Sequence, residues 1–442
     1  MVKSVAQSLV DFNFNSDPLF SFAAHPTENV LVVGSGTGQV KLMKVDVEKL
    51  QDQLAKSSDG LPAQYDVKPK ELDGPDAVTL GWRTKRHQGS CRSIIFDAKG
   101  EHVYSAGLDR QIKKAKTETG AVVAKSAILD SNITELVAAP NKNFLIVGTE
   151  DGDLVCLDSN TLKQMYHIPK VHEDAISSLN HFVPKSDYQF VSTGSTTLAH
   201  VDIRKEQPLQ QSDDQEDELL SSGWLDPTNP NTMLCGMSEG VVTVWKPEMN
   251  KFADQISRIR INREPVESVI SALDTDGDFF WAGSFDGTVA KVNSRLGKVV
   301  ERRIHSETDE VSFLDIDNEY RLISGGMDKL TIWQEGEQGN DDEEDEEDEE
   351  EWTGFSGDDS DASLDSLSDS ESAESAESSA SEDSDSDDEK PAVPLADIKD
   401  KLLARLEDSD DEEPPKKRKK PVKQKQQKQQ AQEHGIRKFD GL

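Results

Sequence analysis

The stretch FLIVGTEDGDLVCL at residues 144–157 decides the fold. An apolar run ends in a small residue, a polar turn follows, and a second run returns with alternating side chains. Asp151-Gly152 can form the turn, because glycine readily adopts the positive φ that a tight hairpin needs. Leu154 and Cys156 then alternate with their neighbours as the two faces of a strand do. This stretch therefore predicts a β-hairpin.

The same pattern occurs six more times, in the stretches VLVVGSGTGQVKLM (30–43), HVYSAGLDRQIKKA (102–115), FVSTGSTTLAHVDI (190–203), MLCGMSEGVVTVW (233–245), FFWAGSFDGTVAKV (279–292) and LISGGMDKLTIW (322–333). The ends of the seven stretches are successively 72, 42, 46, 42, 47 and 41 residues apart. All intervals but the first match the length of a four-stranded blade. The chain is therefore predicted to be all-β, with residues 1–336 forming a seven-bladed β-propeller.

Two features of this domain need separate explanations. Residues 47–77 lengthen the first interval and are polar and rich in turn-forming residues, so we predict an inserted loop between two strands of blade 1. The last hairpin ends three strands into blade 7, whereas the strand-like run at 9–14 has no blade of its own. We expect this run to be the outer strand of blade 7 and to close the ring; an open N-terminal arm is the alternative.

Most of the charge lies after the propeller. The 442 residues have a formal net charge of -37. Residues 334–413 contain 35 acidic and 4 basic side chains, whereas residues 414–442 contain 10 basic and 2 acidic ones. Such low-complexity sequence cannot bury enough apolar surface to offset its loss of conformational entropy. We therefore predict a disordered acidic tail at 337–413, with a short amphipathic helix at 395–406, and a disordered basic tail at 414–442.

The basic tail contains one compact cluster, formed by Lys416, Lys417, Arg418, Lys419 and Lys420. Prolines on both sides discourage a helix, and the cluster predicts a nuclear localisation signal that binds an import receptor. A simple counter-charge to the acidic run is the alternative. The basic residues that follow, up to 438, indicate a weak contact with RNA. Ser384, Ser386 and Ser409 precede acidic residues and are candidate phosphorylation sites, where each phosphate would add about -1.5 to -2 charges.

Sequence motifs of catalytic sites are absent. GSGTGQ (34–39) has the glycine spacing of a phosphate-binding loop, but a strand follows it instead of the helix whose N-terminus would bind the phosphate. Neither a nucleophile elbow nor zinc-ligand spacing occurs, and Cys91, Cys156 and Cys235 are too scattered for a disulfide framework. We predict no enzymatic activity, no cofactor and no metal. With no leader-like or membrane-length apolar run, the protein is expected to be soluble and intracellular.

His87, His172 and His305 each precede the first strand of a blade and resemble the Gly-His position of WD repeats. In that family this histidine bonds through a serine and an aspartate toward a tryptophan, which implies a structural role here. The implied sets are His87, Ser105 and Asp109 in blade 2, His305, Ser324, Asp328 and Trp333 in blade 7, and Trp245 in blade 5. The turn of blade 7 is one residue short. A bulge or an altered turn must therefore restore the alignment of its strand faces.

Longer stretches resemble one particular family. They are AAHPTENVLVVGSGTGQV (23–40), WRTKRHQGSCRSIIFDAKGEHVYSAGLDRQIK (82–113), ISGGMDKLTIW (323–333) and the terminal HGIRKFDGL (434–442). Together they look like the nucleolar WD-repeat family typified by WD repeat-containing protein fifty-five and its fungal counterpart. The resemblance covers essentially the whole chain and is most specific at 86–112. It implies residence in the nucleus and nucleolus and a part in ribosome biogenesis and pre-rRNA processing, without catalytic or ligand-binding residues.

These observations predict a non-catalytic scaffold. Its propeller would bind pre-ribosomal or other nuclear proteins, and the chain would be monomeric within a larger complex. One alternative is a substrate receptor or chromatin adaptor of a ubiquitin ligase or a histone-modifying complex. Another is a histone chaperone that acts through the acidic tail.

Overall fold

Seven sheets follow one another along the chain in the computed structural model, which describes residues 7–57, 61–182, 186–274 and 277–334. In chain order, the elements of the first half are β1 (Ser8–Asn13), β2 (Leu19–Ala24), β3 (Val30–Ser35), β4 (Gln39–Val45), α1 (Val47–Lys56), β5 (Ala63–Val67), β6 (Leu72–Asp73), β7 (Val78–Lys85), β8 (Cys91–Phe96), β9 (His102–Gly107), β10 (Ile112–Lys116), β11 (Val122–Lys125), β12 (Ile133–Ala138), β13 (Phe144–Thr149), β14 (Leu154–Asp158) and β15 (Gln164–Ile168).

The elements of the second half are β16 (Ile176–His181), β17 (Gln189–Gly194), β18 (Thr197–Asp202), β19 (Gln210–Gln211), β20 (Leu219–Trp224), β21 (Met233–Met237), β22 (Val241–Trp245), α2 (Pro247–Asn250), β23 (Ser257–Arg260), β24 (Val266–Ser271), β25 (Phe279–Ser284), β26 (Thr288–Asn293), β27 (Lys298–Ile304), β28 (Phe313–Ile316), β29 (Leu322–Gly325) and β30 (Lys329–Trp333). From the innermost strand outward, the blades are β2-β3-β4-β7, β8-β9-β10-β11, β12-β13-β14-β15, β16-β17-β18-β19, β20-β21-β22-β23, β24-β25-β26-β27 and β28-β29-β30-β1-β5-β6.

The sheets form the predicted seven-bladed β-propeller, so the predicted fold class is confirmed. The innermost strand of each blade contacts that of the next blade, and β28 of blade 7 contacts β2 of blade 1. Second strands such as β13 are buried along their whole length, because each has a strand on either side and each blade packs between two others. Apolar residues from both faces of every sheet therefore fill the spaces between blades.

The ring closes in blade 7, where β1 pairs antiparallel with β30. Four apolar side chains of this N-terminal stretch, Leu9, Val10, Phe12 and Phe14, are completely buried. The polar Asp11 between them accepts a hydrogen bond from Thr331 Oγ1 at 2.9 Å and lies 3.1 Å from Lys329 Nζ. The first residues of the propeller are thus held by apolar burial, a strand ladder and one buried carboxylate.

Residues 47–77, predicted as a loop, contain regular structure that covers blade 7. Asp46 caps α1 by accepting a hydrogen bond from the backbone of Lys49, and one face of the helix is buried through Val47 and Leu50. The following strand, β5, runs parallel to β1, and the ring of Tyr65 lies 5.5 Å from that of Phe12. Sparse apolar residues suffice here, because the outer edge of β1 offers unpaired backbone groups and an apolar surface to pack on. The polar composition concealed this arrangement.

The predictions for the tail fall on residues outside the described ranges. They comprise the acidic segment, the helix at 395–406, the localisation signal at 416–420 and the candidate phosphorylation sites Ser384, Ser386 and Ser409.

Candidate protein-interaction face

The histidine network of blade 2 contains all three residues implied by the WD-repeat resemblance. His87 lies 2.8 Å from Asp109 through Nδ1 and 2.9 Å from Ser105 through Nε2. Because a carboxylate only accepts hydrogen bonds, Nδ1 carries the proton and Nε2 accepts from the serine hydroxyl. The ring packs directly on Gly107, where an added Cβ would lie 2.4 Å from it. Lys113 also bonds Asp109, at 3.0 Å, which balances its negative charge.

Blade 7 arranges its residues differently from the prediction. Ser324 accepts a hydrogen bond from Trp333 Nε1 at 2.8 Å and lies 2.8 Å from His305 Nδ1. Asp328 was expected to join this network, but its side chain is exposed. Asp309 takes its place, with its carboxylate 4.0 Å from His305 Nε2. The same carboxylate accepts hydrogen bonds from the backbone N–H groups of Met327, Asp328 and Lys329.

The short turn of blade 7 explains this correction. With one residue fewer between β29 and β30, the turn cannot direct its own aspartate back toward the histidine. The buried carboxylate of Asp309, from the preceding loop, instead binds three consecutive amides of the turn. This is the altered turn that the sequence requires.

The other two positions have partial networks. His172 bonds Ser192 at 2.8 Å and Thr197 at 2.8 Å, so a threonine stands where blade 2 has its aspartate. Trp245 is buried and donates from Nε1 to Thr243 at 3.0 Å. Burial lowers the pKa of His87 and of His172 to about 4 and that of His305 to about 3. At neutral pH the three rings are therefore uncharged groups that stabilise their blades.

A second set of polar contacts, between blades, was not predicted from the sequence. Serines of the innermost strands donate to backbone carbonyls at the top of the next blade: Ser21 to Cys91 (2.9 Å), Ser177 to Leu219 (2.6 Å), Ser221 to Val266 (3.4 Å) and Ser268 to Val311 (3.0 Å). The sequence does contain a sign of these contacts, because serine is the third residue of β2, β20 and β24. Each contact satisfies a buried carbonyl and fixes one blade to its neighbour.

The three cysteines are buried and free. Burial raises the pKa of Cys91 and of Cys156 to about 12 and raises that of Cys235 as well, so all three remain thiols at neutral pH. Within the described ranges, no three His, Cys, Asp or Glu side chains are grouped to hold a metal ion. Likewise, no helix in that part of the chain has the length and apolar character to cross a bilayer.

One face of the ring presents a series of exposed acidic side chains. Because successive strands of a blade are antiparallel, the loops that join one blade to the next and the turns between second and third strands lie on the same face, here called the upper face. The joining loop at 212–218 contributes the exposed acids Asp213, Asp214, Glu216 and Glu218. Further exposed acids of this face are Glu150, Asp151, Glu173, Asp174, Glu239, Glu264, Asp286, Glu307 and Asp328. Blades 3 to 7 thus give the upper face an acidic arc.

The upper face also exposes large apolar side chains on its turns and loops. They are Leu108 and Ile128 beside blade 2 and Phe285 and Met327 on blades 6 and 7. Exposed apolar groups on a rigid rim, interspersed with charge, are typical of surfaces that bind other proteins.

Comparison with known proteins agrees with this fold. No protein-family model matches the sequence. A Meyerozyma guilliermondii protein named WD repeat-containing protein JIP5 is 41% identical over 363 residues, which are 76% of this chain and 74% of that protein. The Candida glabrata protein of the same name is 40% identical over 369 residues, covering 76% of this chain and 72% of its own length. The Saccharomyces cerevisiae protein of that name is 37% identical over 371 residues, or 72% of this chain and 75% of its own.

Proposed function

The chain belongs to the family of WD repeat-containing protein JIP5, and from this membership we propose that it is a non-catalytic scaffold for proteins of nucleolar ribosome biogenesis and pre-rRNA processing. Membership supports the general part, because WD-repeat propellers are protein-interaction scaffolds and the relatives' names denote no enzyme. The WD-repeat character inferred from the sequence is thereby confirmed. The resemblance to WD repeat-containing protein fifty-five in particular is part of what we propose.

The observation that carries the scaffold role is the upper face. Its charged and apolar side chains project from loops that buried histidines, serines and carboxylates hold in place. Such a rim can bind a partner without first ordering its own loops, which lowers the entropic cost of association. The nucleolar part rests on the family resemblance and on the basic cluster at 416–420.

Affinity purification of the tagged full chain tests the proposal. Pre-ribosomal proteins should be recovered with it, and depletion of the chain should make rRNA precursors accumulate on RNA blots. Recovery of ubiquitin-ligase or histone-modifying subunits, with normal rRNA precursors, would instead favour an adaptor.

Nuclear import is tested through the basic cluster. Replacing residues 416–420 by alanine should move a fluorescent fusion from the nucleus to the cytoplasm, because an import receptor recognises clustered positive charge. The matched control replaces residues 341–351 by serine and glycine and should leave import intact. If the alanine variant still enters the nucleus, the cluster is not the signal and import depends on another part of the chain or on a bound partner.

A further inference from the structure

Blade 2 carries a basic surface beside the acidic arc. Four exposed basic side chains lie on its upper side or at the adjoining end of blade 1: Lys85, Arg92, Arg110 and Lys125. Between and beside them are two exposed aliphatic side chains, Leu108 at 45% and Ile128 at 61% exposure. These six residues are here called the blade 2 patch. Among the described residues, none of the four cations forms an ion pair within 4.0 Å, so their charges are available to a partner.

Backbone hydrogen bonds join the parts of this patch into one surface. The N–H of Leu108 donates to the carbonyl of Ser90, in the loop that enters blade 2, at 2.9 Å. On the other side, the carbonyl of Arg110 accepts from Leu129, in the loop that leaves the blade, at 3.0 Å. The Arg110 side chain donates to the carbonyl of Asp130 at 2.9 Å. The turn that carries Leu108 and Arg110 is thereby fixed to both neighbouring loops.

The acids of blade 2 do not cancel this positive charge. Residues 83–125 contain ten basic and four acidic side chains. Asp97, Glu101 and Glu118 belong to turns on the opposite, lower face. The remaining acid of this range, Asp109, is bonded to His87 and Lys113 beneath the turn. The loop that carries Ile128 adds one exposed acid, Asp130, against the four exposed cations. The upper side of blade 2 is therefore positive and partly apolar, in a ring whose other upper loops are mainly negative.

We propose that the blade 2 patch binds an acidic segment of another protein, with an apolar side chain of that segment packed on Leu108 and Ile128. The inference rests on the proposed scaffold function and names the chemistry of one partner. Charge complementarity selects the acidic segment, and the neighbouring acidic arc, which repels further negative charge, restricts that segment to a short stretch over blade 2. The aliphatic pair selects a segment that also carries an apolar anchor.

The same features argue against nucleic acid as the occupant. A phosphate backbone offers no apolar group to Leu108 and Ile128, and four cations would neutralise few phosphates. Blades 3 to 7 would also repel a polyanion that extended beyond the patch.

Photo-crosslinking of the tagged full chain in cells tests the inference. Leu108→p-benzoylphenylalanine places the reactive group in the patch, and Leu296→p-benzoylphenylalanine, at a more exposed leucine of the lower face, is the control. Position 108 should capture peptides rich in aspartate and glutamate from another protein, and position 296 should not. Capture of RNA, of residues of this chain itself (from the same or a second copy, including the acidic run at 341–351), or of peptides without an acidic excess would overturn the inference.

Charge reversal gives the second measurement. Arg92→Glu with Arg110→Glu should reduce recovery of the captured partner about tenfold, since two attractive contacts become repulsive. Lys99→Glu with Lys116→Glu, on the lower side of the same blade, should leave recovery unchanged. Equal recovery of the partner with both variants would show that the blade 2 patch does not bind it, and the scaffold function would still stand. Absence of any partner from the unmodified chain would contradict the scaffold function itself.

Discussion

Blade 2 and blade 7 place a histidine at the same point but build around it in opposite ways. In blade 2, His87 contacts Ser105 and Asp109, and all four strands come from residues 91–125. Blade 7 combines β28 to β30 with β1 from the start of the chain and with β5 and β6 from the insertion of blade 1.

The difference shows where the stability of the ring depends on distant contacts. Blade 2 can form from one continuous segment, so its polar network is local. Blade 7 forms only when three separate parts of the chain meet, and its histidine has fewer bonds. Contacts that close the ring join residues far apart in the chain, and bringing such residues together costs the most conformational entropy.

The largest effect is expected from deleting residues 2–14. This removes four fully buried apolar side chains, each worth about 1.5–3 kcal/mol, from a fold whose total stability is of the order of 5–15 kcal/mol. The loss also exposes the edges of β30 and β5. We expect cooperative unfolding to be lost or its midpoint to fall by more than 10 °C, as judged by circular dichroism, by the usual scaling of about 2–4 °C per kcal/mol.

Deletion of residues 2–6 is the control, since it leaves the whole of β1 in place. The control should melt as the full chain does. A 2–14 deletion that melted at the parent temperature would mean that the pairing of β1 with β30 contributes little to the ring.

A smaller loss should separate Asp309 from Asp328. Asp309→Ala leaves three backbone N–H groups of the blade 7 turn without their acceptor, which should cost about 3 kcal/mol in urea unfolding. Asp328→Ala removes an exposed carboxylate and should cost less than about 0.5 kcal/mol. Equal losses of stability, or a larger loss for Asp328→Ala, would support the sequence-based prediction that Asp328 belongs to the His305 network.

The sequence could predict what depends on local pattern. The seven hairpins, their spacing and the contacts of His87 with Ser105 and Asp109 follow from residues that lie close together in the chain. It could not predict that α1 and β5 cover blade 7, because their few apolar residues are recognisable only beside the edge of β1. Nor could it predict Asp309, because a one-residue change in a turn alters which side chain faces inward.

The two histidines should also differ when each is replaced by alanine. His87→Ala removes two side-chain hydrogen bonds and leaves the buried Ser105 and the partly buried Asp109 without that partner, so a loss of about 3 kcal/mol is expected. His305→Ala removes one such bond, and its loss should be nearer 2 kcal/mol. Urea unfolding of the two variants beside the parent measures both values. A larger loss at His305 would show that the Trp333–Ser324 contact depends more strongly on the ring than its single bond indicates.

The smallest effect is a difference in pH dependence. Burial holds the pKa of His87 at about 4, against an ordinary value of 6.5, so the unfolded chain takes up a proton there that the folded chain does not. The stability contributed by this neutral ring is complete above pH 6.5 and is lost as the pH falls toward 4. The slope approaches about 1.4 kcal/mol per pH unit, or about 2 kcal/mol between pH 6.5 and 5.

His87→Gln should abolish that increment, and His305→Gln should abolish a similar one over this range, because burial lowers the pKa of His305 further, to about 3. Below pH 4 the two variants should diverge, since only the His305 ring is still neutral in the folded chain. Urea unfolding of parent and variants at pH 6.5, 5.0 and 3.5 measures these differences, and groups common to all three proteins cancel. Parallel pH profiles for the parent and His87→Gln would mean that His87 is protonated in the folded protein at pH 5, and its bond to Asp109 would then be an ion pair.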